Sequence, residues 1–326
     1  MMKLLGSEQL HVEEGQVRQM TKNEFYYESA DKKTKIHAVE WTPDGAVKAV
    51  LQIAHGVTEH MFKYEKMAEY FTSRGVAVVG NDHLGHGLSI AKDGKPMYFG
   101  PEGSWDWVEQ DMCTCYKTIK KKYPDVPYFI LGLSLGSFLV RSFMINQPGA
   151  VDGAVLVGTG QTVPAFQLKL ARFMARKEAK KSGDSACTPL IHKLTFETYN
   201  KQFAPNRTDY DWLCADEEGL NDYIADDLRG ESVSAGMFRE MLNGMLFTGD
   251  AKNQKRMDKN VPILLISGNN DPVGESGKGV KRTYDSLKKA GVENVDMKLY
   301  PGLRHDILRE KEKMDVFGDI YKWMAV

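Results

Sequence analysis

The sequence predicts an α/β fold, with a mostly parallel, doubly wound sheet, helices on both of its faces and an inserted helical cap. Short apolar runs alternate with amphipathic helical patterns in the first half, as in parallel strands joined by crossover helices. The alternation stops over residues 161–249, where helical patterns appear without a buried-strand pattern, and then resumes. We therefore expect a core formed by residues 1–160 and 250–326, and a cap (lid) formed by residues 161–249.

The predicted strands are short apolar segments bounded by turn residues. The first two are separated by the turn-like "ADKKT" and should form an antiparallel hairpin at one edge of the sheet. The third becomes continuously apolar toward its end, which is typical of a strand covered on both faces. In chain order the predicted strands are residues 23–29, 35–43, 46–56, 76–83, 126–133, 151–160, 261–271 and 295–301.

Capping residues and chain breakers delimit the predicted helices. Ser104 is expected to cap one helix, and Gly75 and Pro148 to end two others. The helices predicted for the core are residues 62–75, 104–124, 134–148, 277–291 and 310–324, and those of the cap include 163–181 and 237–247. In the first cap helix, one face carries Val163, Phe166, Leu170, Phe173 and Met174.

Composition excludes several classes of protein. The 326 residues carry a net charge of -1, which gives no general attraction to nucleic acid. No segment reaches the roughly 18 apolar residues of a membrane span, and the N-terminus lacks a signal-peptide core, so we expect a cytoplasmic protein. The four cysteines lack metal-ligand spacing and are expected to be reduced thiols: Cys113, Cys115, Cys187 and Cys214. We expect no cofactor.

Ser134 is a candidate nucleophile. In "GLSLG" it follows an apolar strand, opens a helix and lies between Gly132 and Gly136. This strand–turn–helix context is that of the G-x-S-x-G nucleophile elbow, in which glycines allow the strand and helix to approach closely. A serine hydroxyl needs a general base, a group that orients the base, and N–H donors for the oxyanion. The N–H of Leu135, at the helix N-terminus, is one candidate donor.

The other catalytic candidates lie at the ends of later strands or just after them. Asp271 ends the predicted strand "ILLISGNND" and is followed by Pro272, and His305 lies in the loop "GLRHD" after the last strand. The order Ser134, Asp271, His305 is that of an α/β-hydrolase triad, with His305 as base and Asp271 orienting it. Glu275 lies in the same loop as Asp271 and is an alternative acid.

The loop "AHGVTEH" is expected to supply the second oxyanion donor, the N–H of Val57. Three nearby histidines are expected to shape loops through hydrogen bonds rather than act as bases: His55, His83 and His86. We expect no metal site at His83 and His86, because the surrounding loop offers no third ligand.

The motifs "HGVTEH", "NDHLGHGLS", "GLSLGS", "SGNNDPVG" and "GLRHDIL" together resemble the monoglyceride lipase and lysophospholipase group of the α/β-hydrolases. The resemblance runs from about residue 51 to 308 and mainly excludes the cap. It implies the α/β-hydrolase fold with an eight-stranded sheet, and a serine carboxylic-ester hydrolase with the triad and oxyanion hole named above. The expected partner is a small-molecule ester with one acyl chain, such as a monoacylglycerol or lysophospholipid.

The cap leaves the substrate open. Its apolar residues either line an acyl tunnel or form the cap's own core. The candidates for a tunnel are Phe166, Leu170, Phe173, Met237, Met241, Met245 and Phe247. The basic residues 169–181 either approach a membrane transiently or form a solvated helix face.

Two other functions remain open. An aminopeptidase or amidase of the proline iminopeptidase type would need acidic cap residues to hold a substrate amine, and Asp216, Glu217 and Glu218 are candidates. A non-enzymatic receptor on this fold would bind a small molecule without turnover.

Overall fold

A computed structural model describes residues 20–160, 164–194 and 198–326. One eight-stranded sheet runs through them, with strand order β1-β2-β4-β3-β5-β6-β7-β8. The strands are β1 (Thr21–Glu28), β2 (Lys35–Thr42), β3 (Ala49–Ala54), β4 (Val76–Asn81), β5 (Tyr128–Leu133), β6 (Gly153–Val157), β7 (Ile263–Gly268) and β8 (Val295–Tyr300). All eight predicted strands are present; β1 begins two residues earlier than predicted, and the other seven are shorter than their predicted ranges.

The sheet is parallel except at one edge. β1 pairs antiparallel with β2, and β2 antiparallel with β4, whereas the remaining neighbours are parallel. Ala54, the last residue of β3, pairs with Gly132 near the end of β5. The loop after β3 and the turn after β5 therefore leave the sheet side by side, at the edge where ligands bind in folds of this kind.

Helices cover both faces of the sheet. The central strands are buried throughout, with Val50 in the core cluster of one face and Leu51 in that of the other, which explains their continuous apolar runs. The helices around the sheet are α1 (Glu65–Thr72), α2 (Trp105–Lys122), α3 (Leu135–Asn146), α10 (Lys278–Ala290) and α11 (Lys313–Met324).

Ser104 does not cap α2 with its side chain, in contrast to the prediction. Its backbone is helical (φ -71°, ψ -6°) and its hydroxyl makes no capping hydrogen bond, because a capping residue needs an extended backbone. Instead, the N–H groups of Gly103 and Trp105 donate to Oε2 of Glu240, at 3.1 and 3.3 Å. A carboxylate from a distant helix thus supplies the anion that the start of α2 favours.

Between β6 and β7 the described residues contain helices and no strand. These are α4 (Ala165–Ser182), α5 (Pro189–His192), α6 (Thr198–Asn200), α7 (Glu217–Ala225), α8 (Ala235–Gly249) and α9 (Ala251–Gln254). Val163, which was expected on the apolar face of the first of these, lies outside the described residues.

Helix α8 belongs to the core cluster rather than to a separate cap core. Gly244 lies so close to the Trp105 indole that a Cβ would come within 3.0 Å of it. Arg141 of α3 donates to the carbonyl of Thr248 at 3.1 Å. The division of the chain into a core and a cap of residues 161–249 remains a prediction. Helix α8 falls within those residues, although it packs against α2 and α3 in the core cluster.

Candidate active site

Ser134 occupies a strained turn between β5 and α3. Its φ of 52° and ψ of -113° lie in a region that non-glycine residues rarely adopt, as expected for a nucleophile elbow. The N–H of Ser134 donates to the carbonyl of Val157 at 2.9 Å, and the hydroxyl of Ser137 donates to the carbonyl of Ser134 at 2.6 Å. The serine backbone is therefore held from β6 and from its own helix.

The two glycines of the turn permit close backbone contact. A Cβ on Gly136 would lie well within 3.0 Å of the carbonyl oxygen of Ala54, and a Cβ on Gly132 would meet the carbonyl of Gly136 in the same way. Neither obstacle is a flexible side chain. Glycine is needed at both positions so that α3 can pack directly on β3 and β5.

Asp271 and His305 form a buried pair. Nδ1 of His305 lies 3.0 Å from Oδ1 of Asp271, and the two residues are 3% and 0% exposed. The same Oδ1 accepts the N–H of Val273 at 2.8 Å, while Oδ2 accepts the hydroxyl of Ser267 at 3.0 Å. The aspartate is thus oriented by two donors besides the imidazole.

Glu275, the alternative acid, points elsewhere. Its Oε2 lies 2.6 Å from a guanidinium nitrogen of Arg282, at the protein surface. The structure therefore pairs His305 with Asp271, and it assigns Glu275 to an exposed ion pair.

The environment of His305 favours the protonated form of its imidazole. Burial disfavours the imidazolium, but the charge of Asp271 and its hydrogen bond outweigh burial, and the pKa of His305 is raised above its ordinary value. The indole of Trp212 lies against the imidazole, with ring centroids 5.3 Å apart. A Cβ on Gly158 would lie 3.0 Å from Cε1 of His305, so a glycine is needed here to make room for the ring.

Ser134 and His305 both lie at the carboxyl end of β6. The N–H of Ser134 donates to the carbonyl of Val157, the last residue of that strand, and the ring of His305 lies beside the following residue, Gly158. Three distant segments of the sequence, after β5, β7 and β8, thus come together at one edge of the sheet, in the arrangement that the strand order predicts. Their catalytic roles remain a prediction.

The loop after β3 has most of its polar groups occupied. The N–H of Gly56 donates to Oε2 of Glu59 at 2.8 Å, and Nδ1 of His55 donates to the carbonyl of Gly56 at 2.8 Å. Among the described residues, no hydrogen-bond acceptor is found for the N–H of Val57. The N–H of Leu135, in the first turn of α3, likewise has no acceptor within its helix. Neither candidate oxyanion donor thus has a hydrogen-bond acceptor among the described residues.

His55, His83 and His86 form a buried cluster behind this loop. His55 accepts the N–H of His83 at Nε2 (2.9 Å), and Nε2 of His83 donates to the carbonyl of His55 at 3.0 Å. Burial lowers the pKa of His83 to about 3 and that of His86 to about 4, and it lowers the pKa of His55 well below its ordinary value. The three rings are neutral at physiological pH and organise the loops through hydrogen bonds, as predicted.

Sequence reasoning missed a charged network beneath the same loop. Lys63 is ion-paired with both Glu59 and Asp306, and Arg309 contacts Asp306 at 3.2 Å. Tyr64 also donates to Glu59, at 3.0 Å. Because Asp306 adjoins His305, this network joins the loop after β3 to the loop that carries His305. The spacing of Glu59 and Lys63, one helical turn apart, was the only sequence signal.

The residues proposed for an acyl tunnel divide into two groups. Phe166, Leu170 and Phe173 are 66%, 59% and 53% exposed on the outside of α4. Met237 and Met241 are buried, at 0% and 8% exposed, in the core cluster where α8 packs against α2 and α3. The first group faces solvent and the second fills the core, because α4 packs on the core through its other face, with Ala175 and Ala179 buried there. Met245 and Phe247 are partly buried against the same core cluster.

The acidic residues considered for amine binding lie at the start of α7. Asp216 precedes the helix, and Glu217 and Glu218 are exposed in its first turn, where negative charge suits the helix dipole. The backbone N–H of Asp216 donates to Glu310 at 3.1 Å. These positions have a structural explanation without a substrate amine.

The described residues contain neither a candidate metal site nor a membrane-spanning helix. No group of three or more histidine, cysteine or acidic side chains could hold a metal ion there. Over the same residues, no helix is long and apolar enough to cross a membrane. Cys113, Cys115 and Cys214 are buried free thiols, and Cys187 is an exposed one.

The strand order, the turn at Ser134 and the buried His305–Asp271 pair define an α/β-hydrolase. A family model described as serine aminopeptidase, S33, matches residues 45–312, and the chain belongs to this family of hydrolases. The predicted resemblance to monoglyceride lipases is confirmed by relatives that match over most of their length.

A monoacylglycerol lipase of Mycolicibacterium smegmatis is 28% identical over 289 residues, covering 87% of this chain and 91% of that protein. A monoglyceride lipase homolog of Monkeypox virus is 26% identical over 295 residues, covering 89% and 94%. Among solved structures, a thermostable carboxyl esterase from Bacillus coagulans in complex with glycerol superposes with a TM-score of 0.86. That match is 24% identical, covers 94% of this chain and 99% of the esterase, and shows the shared fold.

Proposed function

We propose that this protein, a carboxylester hydrolase, cleaves monoacylglycerols, lysophospholipids or similar single-chain esters by a Ser-His-Asp mechanism. The observation that carries the proposal is the buried His305–Asp271 pair beside the strained turn of Ser134. The names of its relatives support an ester of glycerol as the substrate class.

In the proposed mechanism, Oγ of Ser134 attacks the ester carbonyl while Nε2 of His305 accepts the hydroxyl proton. The carbonyl oxygen becomes an oxyanion, which accepts hydrogen bonds from the N–H groups of Val57 and Leu135. His305 then donates the proton to the leaving alcohol, and an acyl-enzyme remains on Ser134. Water, deprotonated by His305, attacks the acyl carbon, and His305 returns that proton to Oγ of Ser134 as the fatty acid leaves. Asp271 stabilises the imidazolium formed in each half-reaction, and its charge raises the pKa of His305 accordingly.

The outer face of α4 supports the proposal that the substrate is amphiphilic. Phe166, Leu170 and Phe173 expose their apolar side chains next to lysine and arginine residues of the same helix. An apolar face with basic neighbours suits transient contact with a membrane or a lipid aggregate, from which a single-chain ester would be drawn. This contact is part of the proposal.

The experiment is a substrate panel given to the purified protein. It compares p-nitrophenyl esters of rising chain length, monoacylglycerols, lysophospholipids and aminoacyl amides. We expect single-chain esters to be hydrolysed fastest. Faster cleavage of aminoacyl amides than of every ester would instead support the aminopeptidase function that the family description names.

Ser134→Ala and a matched control test the nucleophile. We expect Ser134→Ala to abolish ester turnover and labelling by a fluorophosphonate, with a melting temperature close to that of the wild type. Ser182→Ala, at an exposed serine at the end of α4, should retain both. A labelled, active Ser134→Ala variant would refute the assignment, and a collapse of its melting temperature would indicate a structural role.

A further inference from the structure

Thr58, the residue after the proposed oxyanion donor Val57, has an unusual backbone conformation. Its φ is 64°, in the left-handed region, although threonine is β-branched and disfavours it. The residue is also buried, at 5% exposed. Such a conformation persists only where neighbouring groups hold it, and it is found most often at functional sites.

Two groups from the segment between β6 and β7 hold Thr58. The hydroxyl of Tyr223, in α7, lies 2.8 Å from Oγ1 of Thr58, and the N–H of Gly230 donates to the carbonyl of Thr58 at 3.1 Å. Thr58 in turn donates its single hydroxyl hydrogen to the carbonyl of Val57, at 2.5 Å. Tyr223 must therefore be the donor to Thr58, and the hydrogen bonds run from Tyr223 through Thr58 to Val57.

Tyr223 is itself held firmly. It is 5% exposed, and its ring lies 5.3 Å from that of Tyr210. The guanidinium groups of Arg229 and Arg309 lie over its ring at 5.2 and 5.4 Å. Burial raises the pKa of Tyr223 to about 12, so the phenol keeps the proton that it donates.

We propose that Tyr223 is a positioning residue for catalysis: by holding Thr58 in the left-handed conformation, it aims the N–H of Val57 at the oxyanion. The peptide group between Gly56 and Val57 is also fixed from its carbonyl side, because Nδ1 of His55 donates to the carbonyl of Gly56. That carbonyl and the N–H of Val57 belong to one planar peptide and point in opposite directions. This inference rests on the proposed function, and it makes the oxyanion hole depend on the docking of α7.

The first test is Tyr223→Phe, with Tyr210→Phe as the matched control. Tyr223→Phe removes the hydroxyl that holds Thr58 and that also interacts with Arg229. We expect kcat to fall about tenfold with KM within about twofold, since loss of a whole oxyanion donor costs about 10²- to 10³-fold. Affinity for an alkyl boronic acid, which mimics the tetrahedral intermediate, should fall in parallel. Tyr210→Phe removes a neighbouring hydroxyl bonded to Arg229 at 3.4 Å, and we expect wild-type kinetics.

The second test repeats Tyr223→Phe in a Thr58→Gly background. Glycine adopts positive φ without strain, so the backbone no longer needs the tyrosine hydroxyl. We expect Tyr223→Phe to change kcat by less than about twofold in this background. An equal loss in both backgrounds would mean that Tyr223 acts on substrate or on folding, and would overturn the inference.

Two further outcomes separate the inference from the proposed function. An active wild type whose Tyr223→Phe variant has unchanged kcat would overturn the inference alone. A wild type without ester turnover would overturn the proposed function, and the inference with it.

Discussion

Replacing Asp271 by asparagine should remove charge from the proposed triad while preserving its geometry. Oδ1 of Asp271 accepts two hydrogen bonds, from Nδ1 of His305 and from the N–H of Val273. In Asp271→Asn, a flipped amide would direct its NH₂ group at the N–H of Val273, which is unfavourable. The amide oxygen should therefore stay in place, with the NH₂ group donating to Oγ of Ser267, 3.0 Å from the original Oδ2.

The expected loss follows from electrostatics alone. Unit charges about 4 Å apart interact by about 4 kcal/mol at an effective dielectric constant near 20. If the dipole of the asparagine amide retains between a quarter and a half of this stabilisation, the imidazolium loses about 2–3 kcal/mol of electrostatic stabilisation. This corresponds to a fall in kcat/KM of roughly 30- to 160-fold. Asp271→Ala also removes the group that selects the histidine tautomer, which we expect to cost about 10⁴-fold.

The assay is the pH dependence of kcat/KM on a p-nitrophenyl ester for wild type and both variants. Wild-type activity should be lost as pH falls through the raised pKa of His305, because only the neutral imidazole accepts a proton. In Asp271→Asn the attractive charge is gone while burial remains, so the acid limb should move to lower pH. Glu275→Gln, which alters only the surface pair with Arg282, is the matched control and should keep wild-type kinetics.

Equal losses in Asp271→Asn and Asp271→Ala would refute the geometric part of this reasoning. An acid limb that does not move would show that Asp271 is not the group that raises the pKa of His305. A large loss in Glu275→Gln would restore Glu275 as the acid.

Two further predictions concern folding. In urea unfolding, Gly136→Ala should lower the free energy of unfolding by more than about 3 kcal/mol, because its Cβ would collide with the backbone carbonyl of Ala54. Gly302→Ala is the control: no atom lies near its Cβ position, so only the strain of a φ of 80° remains, and it should cost about 1 kcal/mol. The lowered pKa values of His83 and His86 mean that the unfolded chain binds more protons below pH about 6.5. Each of the two histidines should therefore lower the free energy of unfolding by roughly 1.4 kcal/mol per pH unit as the pH falls from about 6.5 toward 4. Urea unfolding between pH 7 and 5 checks this, and a stability independent of pH would contradict it.

Local sequence patterns were sufficient for the order of strands and helices and for the elbow. The apolar run of β5 and the glycines around Ser134 specify a buried strand, a tight turn and a helix, because these preferences act over a few residues. The positions of Asp271 and His305 after strands were also visible, and the parallel sheet brings the carboxyl ends of those strands to one edge.

Other features depended on contacts between distant segments, which no local pattern encodes. Asp271 rather than Glu275 reaches His305 because of how the loop after β7 folds back on the sheet, and Glu275 turns to Arg282. Apolar periodicity looks the same on an exposed face as on a buried one, so the sequence could not separate exposed Phe166 from buried Met237.

The sequence by itself thus determined the class of protein, the turn at Ser134 and the order of the catalytic candidates, since short-range backbone preferences and strand order are sufficient for these. Only the tertiary structure decided which carboxylate pairs with His305, and that Tyr223 lies against the left-handed Thr58. These depend on side chains that are far apart in the chain and are brought within hydrogen-bonding distance only by packing.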